Sequence, residues 1–483
     1  MWYGSLMNVR AADSFMASLD APEVYRVGGS VRDELLNRKP KDADYMVRGA
    51  SIDKLRLALL DAAGAAQRAI AVTPLKLRDG RQVGLRASGG GLGLLEIALP
   101  RTEVSTGPGR HDFEIVTSSE LPLRRDAERR DFTINALYRD VRTGDVVDPL
   151  GGQEDLRLSL LRTTHPDSFR DDPLRILRAA RFLSVLPVEL QLAPGVFAEM
   201  ALHADAMTGL TRKGVSGTAL DELTKLLMGR RPGKALRVLR DTGALGVLFP
   251  ELDPMLFFDQ NSRYHDMTTG EHTFTAIDAA AGMNLDLRVR LALLFHDAGK
   301  PEVAWRGEDG RLHYYNNGNT EDHEVASARL ARKALDRLNT PKRLRNDVLT
   351  IVGRHMVSLS GKTKKAKVRR WRVELGDELL ADLLKHRLAD LIGKGTVDYD
   401  AMNALLRLET IRDEAERQRV PVDAKGLDGV DGHFLKRCGL EGKQIGRVLD
   451  RLLHEVVSQP KLNNRDWLQN RADVLADKEA ARA

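Results

Sequence analysis

The stretch VGGSVRD (residues 27–33), followed by DAD (residues 42–44), decides the fold of the first part of this chain. An apolar, β-rich run leads into Gly28-Gly29, and residues suited to a helix follow, so the pattern predicts a strand, a tight turn and a helix start. Backbone N–H groups at such a turn favour phosphate oxygens. The pattern therefore indicates a phosphate-binding turn ahead of the DAD stretch.

The DAD stretch carries a pair of carboxylates. Residues 41–47 (KDADYMV) read as a strand, and because side chains alternate along a strand, Asp42 and Asp44 are expected to share one face. Two close carboxylates repel each other unless a cation lies between them, and Mg²⁺ with a nucleoside triphosphate supplies that charge. Gly-Gly is common in ordinary turns and Asp-x-Asp in ordinary loops, but their combination favours a catalytic site for phosphoryl transfer.

In this order and spacing, the two stretches resemble the nucleotidyltransferase motif of the class II CCA-adding enzymes and bacterial poly(A) polymerases. The resemblance implies that Asp42 and Asp44 bind Mg²⁺, activate the terminal ribose hydroxyl of an RNA and stabilise the triphosphate. It also implies that Gly28, Gly29 and Arg32 hold phosphates.

Two further stretches extend the resemblance. LEIALPRTE (residues 95–103) resembles the strand that faces the aspartate pair in the family, which makes Glu96 a third Mg²⁺ carboxylate or, alternatively, an ordinary exposed strand residue. Residues 101–114 read as a polar, flexible loop. Loops of this kind in the family shape the pocket during the switch from C to A addition.

RRDFTINALY (residues 129–138) matches the second motif of the family. Asp131 and Asn135 are four residues apart and are expected to share a helix face. The resemblance implies that this region reads the ribose and helps to hold the triphosphate, with Arg130 as a bidentate phosphate donor. The alternative is a capped amphipathic helix with structural charges.

DDPLRILRAARF (residues 171–182) resembles the fourth motif, and Asp172 fits the N-cap of its helix. In the family, an acidic residue and an arginine here hydrogen-bond the edge of the incoming base, so that the protein selects C or A without a nucleic-acid template. By position these are Asp172 and Arg175, and Arg178 resembles a further arginine near the nucleotide. Asp171 is expected on the same helical face as the two arginines. It stands where the family usually has glutamate, and we do not expect it to be a site residue.

One stretch departs from the family. Residues 215–223 (VSGTALDEL) align where the family usually carries Glu-Arg before a helix, and Thr218 and Ala219 occupy those positions. We therefore expect weaker salt-bridge support in the neck of the protein, and with it a less efficient switch to A addition.

A second chemistry is indicated further along the chain. GEHT (residues 270–273) and FHDAGKP (residues 295–301) suggest an HD phosphohydrolase domain. Imidazole nitrogens with carboxylates suit a divalent transition metal, which activates water and polarises a phosphate. The alternatives are a surface His-Asp pair at a helix end, or an HD fold without activity. The expected ligands are His272, His296, Asp297 and Asp390, and His323 and His355 are expected to be additional ligands or phosphate contacts.

Composition restricts the class of protein. The 483 residues are 42% hydrophobic and 30% charged, without a long apolar run or a secretory signal, so we expect a cytoplasmic protein with no membrane partner. The single cysteine, Cys438, excludes an internal disulfide framework. A formal charge of +6 and a basic run over residues 362–372 favour an RNA partner, although the run also suits a solvated surface; no DNA partner is expected.

The pattern changes along the chain from mixed to almost wholly helical near residue 153. We therefore expect an α+β protein: an N-terminal mixed-sheet nucleotidyltransferase head, an all-α neck and body, and an all-α HD domain. The expected domains are residues 1–152 for the head, 153–253 for the neck and body, 254–395 for the HD domain and 396–483 for a helical tail.

The resemblance implies addition of C, C and A to the 3′ end of tRNA from CTP and ATP, with Mg²⁺ at the polymerase site and Ni²⁺, Mn²⁺ or Co²⁺ at the HD site, by a monomer or homodimer. A poly(A) polymerase shares the head motifs, but bacterial ones usually lack the HD pattern. The carboxylate pair Asp42 and Asp44 argues against a pure HD phosphohydrolase and against a non-catalytic tRNA-binding factor. Complete and partial CCA addition both remain open.

Overall fold

The computed structural model divides into two compact units. One comprises Met1–Gly229 and Lys234–Leu248, and the other comprises Arg230–Gly233 and Phe249–Ala483. The structure describes residues 8–40, 42–77, 80–105, 113–211, 216–260, 267–318, 321–357, 362–395 and 398–481. Parts of three predictions, for residues 41–47, 101–114 and 215–223, lie outside these ranges, namely Lys41, residues 106–112 and Val215.

The first unit opens with a mixed sheet. The strands of this sheet are β1 (Glu23–Val27), β2 (Asp44–Arg48), β3 (Ile70–Lys76), β4 (Gln82–Gly89), β5 (Leu94–Ala98), β8 (Tyr138–Asp140) and β9 (Val146–Val147). A separate hairpin is formed by β6 (Arg101–Ser105) and β7 (Phe113–Thr117). The seven-stranded sheet has the order β3-β4-β5-β2-β1-β8-β9. Only β2 and β5 pair in parallel; the other described neighbours are antiparallel. The α+β prediction for the head is confirmed.

Apolar side chains cover one face of this sheet. Helices α1 (Val9–Ala17), α2 (Gly29–Leu35), α3 (Ile52–Ala65) and α4 (Leu123–Glu128) belong to this part of the chain. Phe15, Leu55 and Leu59 pack with the strand residues Val47 and Ile97 in one buried cluster. Burial of each such side chain contributes about 1.5–3 kcal/mol, so the strand that presents Asp44 rests on a rigid support.

The prediction of a flexible loop over residues 101–114 was wrong at both ends. β6 pairs with β7 in antiparallel register from Arg101 opposite Thr117 to Ser105 opposite Phe113. A two-stranded ribbon leaves much of both faces to solvent, so its strands carry as many polar residues as a loop does. The predicted strand over residues 41–47 also differs from the structure at its start, because regular pairing of β2 begins only at Asp44.

The rest of the first unit is mainly helical. Its elements are α5 (Gly152–Arg157), β10 (Leu160–Leu161), α6 (Ser168–Asp171), α7 (Leu174–Val185), β11 (Gln191–Leu192), α8 (Val196–Leu202), α9 (Ser216–Leu227), α10 (Pro232–Asp241) and α11 (Ala244–Leu248), with 3₁₀ segments at Thr133–Asn135 and Ala204–Thr211. Helix α10 crosses the division between the units at its first turn. Helices α7 and α9 pack together, and Ser184 Oγ donates to the carbonyl of Leu226 at 2.7 Å.

The second unit is almost wholly helical, as the sequence predicted. Its elements are α12 (Asp253–Leu256), α13 (Thr269–Gly282), α14 (Leu287–Phe295), α15 (Lys300–Val303), β12 (Trp305–Arg306), β13 (Leu312–His313), α16 (His323–Arg337), α17 (Lys342–Arg354), α18 (Lys365–Leu375), α19 (Asp377–Gly393), α20 (Tyr399–Arg417), α21 (Gly432–Arg437), α22 (Lys443–Ser458) and α23 (Arg465–Ala480), with 3₁₀ turns at Ala424–Gly426 and Pro460–Leu462. Helices α13, α14, α17 and α19 pack on one another. Among the described helices, none is long and apolar enough to cross a membrane.

Candidate active sites

The first candidate site is a set of three carboxylates at the edge where β2 begins. Asp42 and Asp44 are exposed while Ala43 and Tyr45 between and after them are buried, so the two aspartates share a face even though regular pairing begins at Asp44. The parallel register of β2 and β5 places Glu96 opposite Asp44. Three carboxylates on one face offer only oxygen donors, which fits a hard divalent cation.

The raised pKa of Asp44 also supports a cation site. Removal of water by the surrounding protein raises its pKa to about 6, and the negative charges of Asp42 and Glu96 act in the same sense, although the side chain itself stays open to solvent. Glu96 also accepts a hydrogen bond from Arg86 Nε at 2.8 Å, which offsets part of its charge. A bound cation relieves the remaining repulsion.

A cavity of about 530 Å³ lies beside Asp44 and is lined mainly by charged side chains. Its size suits a small-molecule ligand, and its arginines suit an anionic one. All of the nucleotide-binding residues predicted from the sequence line it, namely Gly28, Gly29, Arg32, Arg130, Asp131, Asn135, Asp172, Arg175 and Arg178.

The glycine turn enters this cavity as predicted, between the end of β1 at Val27 and the start of α2 at Gly29. Gly28 has φ +74°, a conformation that favours glycine, and a Cβ there would lie 3.1 Å from the Arg130 guanidinium. Its N–H donates to the carbonyl of Leu137 at 2.9 Å. The backbone of Gly28 therefore packs directly on the second motif, and a side chain at Gly28 would disturb this contact.

A chain of hydrogen bonds crosses the cavity wall. Arg32 Nη1 donates to Asn135 Oδ1 at 2.5 Å, Asn135 Nδ2 donates to Asp131 Oδ1 at 2.9 Å, and Arg178 Nη2 donates to Asp131 Oδ2 at 2.5 Å. Burial opposes ionisation of Asp131, but Arg178 outweighs it and lowers the pKa to about 2. The network holds two guanidinium groups at set positions beside the cavity.

The predicted helix face at residues 131–135 is wrong in its geometry. Residues Thr133–Asn135 form a short 3₁₀ turn instead, and Asp131 accepts from the backbone N–H of Phe132 at 2.9 Å. Asp131 and Asn135 still meet, because the tight turn closes over the same span. A side chain that hydrogen-bonds nearby backbone favours turns over a helix interior.

Arg130 is held by the protein itself. Its guanidinium donates to Asp126 Oδ2 at 3.2 Å, to the Tyr138 hydroxyl at 3.2 Å and to the carbonyl of Asn135 at 3.3 Å. Burial alone would raise the pKa of Asp126. The guanidinium groups of Arg129 and Arg130 outweigh burial, so the pKa is lower than its usual value. These contacts give Arg130 a structural role, which was the alternative to phosphate binding in the sequence. The contact of Arg130 with phosphate stays a prediction.

Asp172 and Arg175 lie at the start of α7. Asp172 Oδ1 accepts from the backbone N–H of Leu174 at 3.0 Å. The predicted N-cap is nevertheless wrong by one residue, because α7 begins at Leu174 and its N-cap is Pro173. Arg175 is buried and donates to Ser168 Oγ at 2.7 Å and to the carbonyl of Arg129 at 2.7 Å. These anchors fix the arginine at the cavity wall.

Asp171 does not share a helical face with Arg175 and Arg178, contrary to prediction. It ends the preceding helix α6, and the extended backbone of Asp172, with φ −139° and ψ 97°, separates α6 from α7. Asp171 Oδ2 lies 3.8 Å from His165 Nε2 instead. The break follows from Pro173, because a residue before proline is pushed away from helical conformation.

The neck keeps a buried ion pair in spite of Thr218 and Ala219. Glu222, one turn further along α9, lies with its carboxylate oxygens 2.9 Å from Arg181 Nε and 3.4 Å from Arg178 Nη1. The sequence signal for it was an acidic residue on the apolar face of α9, beside the buried Ala219 and Leu223. The expected weakening of salt-bridge support is therefore corrected by the structure.

We expect Glu222→Ala to lower the free energy of unfolding by about 3 kcal/mol, because it leaves the partly buried Arg181 without its carboxylate and leaves Arg178 with that of Asp131 alone. Asp221→Ala is the matched control, since Asp221 is the exposed neighbour on the same helix. Urea denaturation of both variants measures the difference. Equal midpoints for the two would contradict a supporting role for Glu222.

The second candidate site lies in the second unit and brings together all four predicted ligands. His272 Nε2 and His296 Nε2 lie 2.9 Å and 3.4 Å from Asp390 Oδ1, and 3.3 Å from each other. Asp297 Oδ2 lies 3.2 Å from His296 Nε2 and 2.7 Å from Lys300 Nζ. All of these side chains are buried, so the alternative of a surface His-Asp pair is wrong.

This second cluster attracts positive charge. Burial alone would lower the pKa of His296, but the carboxylates of Asp297 and Asp390 raise it to about 9. His296 Nδ1 lies 2.8 Å from the carbonyl of Leu293, which leaves Nε2 facing the carboxylates. Imidazole nitrogens oriented in this way, with carboxylate oxygens, fit a divalent transition metal, whose binding would displace the proton on Nε2.

Three further histidines belong to this cluster. His323 and His355, expected as ligands or phosphate contacts, lie 3.5 Å and 3.7 Å from Asp297 Oδ1. Burial lowers the pKa of His323 to about 3. His386, which was not among the predicted site residues, lies with its ring 5.5 Å from that of His296. The signal was available, because His386 is four residues before Asp390 on α19 and so points to the same side of the helix.

The glycine of the HDAGK stretch brings α16 close to this cluster. A Cβ on Gly299 would lie 2.6 Å from the backbone nitrogen of Ser327 and from the Ala326 side chain. The Gly299 N–H donates to Ser327 Oγ at 2.9 Å. The absence of a side chain at Gly299 thus allows α16 to carry His323 to within reach of Asp297.

Three family models match the chain. The Poly A polymerase head domain matches residues 24–162, the probable RNA and SrmB-binding site of polymerase A matches residues 219–256, and the HD domain matches residues 269–393.

Two named relatives and one solved structure are similar to this chain. The chain is 35% identical over 342 residues to the Multifunctional CCA protein of Burkholderia pseudomallei (strain K96243), which covers 69% of this chain and 75% of that protein. It is 33% identical over 377 residues to the Multifunctional CCA protein of Azoarcus sp. (strain BH72), covering 77% and 84%. The crystal structure of the Bacillus stearothermophilus CCA-adding enzyme in complex with CTP has the same fold, with a TM-score of 0.63 and 20% identity over 98% of this chain and 97% of that one.

Proposed function

The chain belongs to the family of multifunctional CCA proteins, and from this premise we propose that it adds C, C and A to the 3′ end of tRNA from CTP and ATP, with release of pyrophosphate. The observation that carries the proposal is the arrangement of Asp42, Asp44 and Glu96 beside a cavity lined by every nucleotide-binding residue predicted from the sequence. Mg²⁺ is the cation that suits this oxygen donor set.

The chain's own residues provide most of the chemistry. Asp42 and Asp44 would hold the cation, which would lower the pKa of the terminal ribose hydroxyl and neutralise charge on the phosphates. Arg32 and Arg178 are fixed by the hydrogen-bond chain through Asp131, so their guanidinium groups meet the triphosphate without reorganisation. The ribose hydroxyl oxygen bonds to the α-phosphorus, and the bond to the leaving pyrophosphate breaks.

Base selection is assigned to Asp172 and Arg175. Both line the cavity at the start of α7, and both are restrained by local hydrogen bonds. A site that hydrogen-bonds the edge of a base rejects a wrong base because its own polar groups would then be left unpaired.

Arg175→Ala is expected to weaken discrimination of CTP and ATP against UTP and GTP by about 10²-fold or more, as well as to slow the reaction. The control is Ser168→Ala, which removes one anchor of Arg175 but keeps the guanidinium. Single-nucleotide incorporation with each of the four triphosphates measures both effects. Full selectivity in Arg175→Ala would leave Arg175 with an anchoring role alone.

A tRNA that lacks its CCA end tests the overall activity. The wild-type protein is supplied with CTP alone, ATP alone and both, and products are resolved at single-nucleotide length. Two added residues with CTP and three with both support complete CCA addition. Long tails from ATP alone would favour a poly(A) polymerase, and arrest after CC or requirement for a pre-existing CC end would mean partial addition.

The second unit supports a second activity, hydrolysis of phosphomonoesters or 2′,3′-cyclic phosphates at His272, His296, Asp297 and Asp390. The buried convergence of their nitrogens and oxygens supports it. The donor set suits Ni²⁺, Mn²⁺ or Co²⁺. A metal held by these four residues would activate water. Lys300, paired with Asp297 at 2.7 Å, would neutralise charge on a phosphate.

The domain division follows from this assignment. We place the head at residues 1–152, the neck and body at 153–253, the HD domain at 254–395 and a helical tail at 396–483. Lys362, Lys364, Lys365 and Lys367 are exposed at or near the start of α18, which suits contacts with tRNA phosphates. A cytoplasmic location and a monomeric or homodimeric state stay predictions.

A further inference from the structure

A short ribbon in the second unit carries three aromatic side chains in mutual contact. It is formed by WRGEDGRLHYY (residues 305–315), in which β12 pairs with β13 and Trp305 lies directly opposite His313. The ring centroids of Trp305, His313 and Tyr315 lie between 4.7 and 5.3 Å apart. The three rings therefore form one surface, which we call the aromatic triad.

The aromatic triad is open to solvent. Tyr315 is 52% exposed, and Trp305 and His313 are half-buried. The strands β12 and β13 have two residues each, so the ribbon is too small to enclose rings of this size. Trp and Tyr are enriched where proteins contact a partner, and clustered exposed rings therefore favour a binding surface.

Hydrogen bonds hold the aromatic triad in position. Trp305 Nε1 donates to the carbonyl of Tyr315 at 3.0 Å, and the Gly307 N–H donates to the carbonyl of Arg311 at 2.9 Å. The rings are thus oriented by the ribbon before any ligand arrives. A surface organised in this way loses little conformational entropy on binding.

Tyr314 connects the aromatic triad to the HD cluster. It lies between His313 and Tyr315 in the chain, and its carbonyl accepts from the backbone N–H of His323 at 3.0 Å. Lys300 Nζ lies 5.3 Å from the centroid of the Tyr314 ring. Lys300 is the residue proposed above to neutralise a phosphate. The aromatic triad therefore flanks the place where the phosphate of a substrate would bind.

The charges of the ribbon suit an uncharged, planar group. Arg306 and Arg311 give two positive charges, Glu308 and Asp309 give two negative charges, and all four residues are exposed. Balanced charges provide no strong attraction for a phosphate, which is expected at Lys300 instead. Nucleobases are planar and uncharged, and proteins bind them by stacking on Trp, Tyr and His side chains.

We propose that the aromatic triad is a nucleobase-binding subsite of the HD domain, so that its substrates are nucleoside phosphates rather than phosphomonoesters in general. The base stacks on Tyr315 and Trp305 while Lys300 neutralises the phosphate. Every base has an aromatic face, so stacking of this kind tolerates all four bases. The proposal deepens the hydrolase assignment above and rests on it.

Comparison of two substrates tests the subsite. The full-length protein is given 2′,3′-cyclic AMP, which carries a base, and glycerol 2-phosphate, which carries none, with Ni²⁺, Mn²⁺ or Co²⁺. Tyr315→Leu and Trp305→Leu are each expected to raise KM for cyclic AMP about 10-fold. This factor corresponds to about 1.4 kcal/mol, within the range that one stacked base contributes. The kcat for cyclic AMP and both constants for glycerol 2-phosphate should stay the same.

Two further variants separate stacking from support of the fold. Tyr315→Phe keeps the ring and is expected to keep the KM of the wild type. Tyr399→Leu, an exposed tyrosine at the start of α20, is the matched control. Equal losses for both substrates would mean that the ribbon only supports the HD cluster, and this would overturn the subsite. An unchanged KM for cyclic AMP in both leucine variants would overturn it too.

A binding measurement distinguishes failure of the subsite from failure of the hydrolase. In a full-length protein with Trp2→Phe, Trp371→Phe and Trp467→Phe, tryptophan emission reports Trp305 alone, and thermal melting checks that the protein is folded. We expect adenosine 2′-monophosphate to change this emission in a saturable way, ribose 5-phosphate to leave it unchanged, and Tyr315→Leu to weaken the nucleotide affinity about 10-fold.

The two measurements together decide both assignments. The expected change in Trp305 emission, without hydrolysis of either substrate, would support the subsite and refute the hydrolase. Hydrolysis of both substrates without a change in Trp305 emission would refute the subsite alone. Absence of hydrolysis and of any change in emission would refute both.

Discussion

Replacing Asp44 with Asn reduces nucleotide addition to tRNA by about 10³-fold or more, because no neighbouring group can replace the lost metal ligand. Asp42→Asn has an effect of the same order. Single-turnover incorporation of CTP into tRNA that lacks its CCA end measures both. Asp61→Asn, an exposed aspartate on α3 in the same unit, is the matched control and keeps full activity.

The Asp44→Asn variant should remain folded. The pKa of Asp44 is raised above 3.8, to about 6, so the folded protein binds the proton more tightly than the unfolded chain does. Stability therefore falls as pH rises from about 4 to about 6, and replacing Asp44 with Asn removes this cost. At pH 7.5 we expect the metal-free variant to melt at the same temperature as the wild type or slightly higher. A lower melting temperature would mean that loss of activity reflects unfolding.

The same pKa predicts the dependence of metal binding on pH. A protonated Asp44 carboxyl is a poor ligand, so Mg²⁺ affinity should be full above about pH 7 and fall as the pH drops through about 6. Isothermal titration with Mg²⁺ at several pH values measures this change. Affinity that stays constant between pH 7 and pH 5 would exclude Asp44 as the titrating ligand.

Asp297→Asn is expected to abolish hydrolysis of 2′,3′-cyclic AMP, with a loss of about 10³-fold or more, while CCA addition is retained. Asp297 lies within 3.7 Å of His296, His323, His355 and Lys300, so its charge balances the whole cluster. The substitution keeps the shape of the side chain but removes the charge that holds a cation. Asp42 and Asp44 belong to the other unit, which accounts for the retained addition.

The measurement compares release of nucleoside monophosphate in the presence of Ni²⁺, Mn²⁺ or Co²⁺ with CCA addition by the same preparation. His454→Ala, an exposed histidine on α22, is the matched control. Unchanged hydrolysis by Asp297→Asn would refute the assignment of the HD site. A wild-type protein that hydrolyses no cyclic phosphate or phosphomonoester with any of these metals would leave the HD fold with a structural role or a role in tRNA binding.

The amino-acid sequence determined the features that depend on short spans of chain. The strand, turn and helix around Gly28 follow from residue types that are adjacent, and so does the side on which Asp42 and Asp44 lie. The chemistry of a ligand is also local: imidazoles near carboxylates indicated a metal cluster before His272 and Asp390, 118 residues apart, were known to meet. The family resemblance added the expected roles of the cavity residues.

Only the tertiary structure decided which distant groups act together. The parallel pairing of β5 with β2 places Glu96 opposite Asp44, and helix packing lets Glu222 take over the ion pair that Thr218 and Ala219 cannot form. The hairpin of β6 and β7 likewise depends on pairing between two segments. The break between Asp171 and Arg175, in contrast, follows locally from Pro173. The spacing of His386 from Asp390 was visible in the sequence, but only the fold shows that its ring lies 5.5 Å from that of His296. Local pattern limits the conformation of a segment, but register, pairing and burial are set by the free energy of the assembled chain.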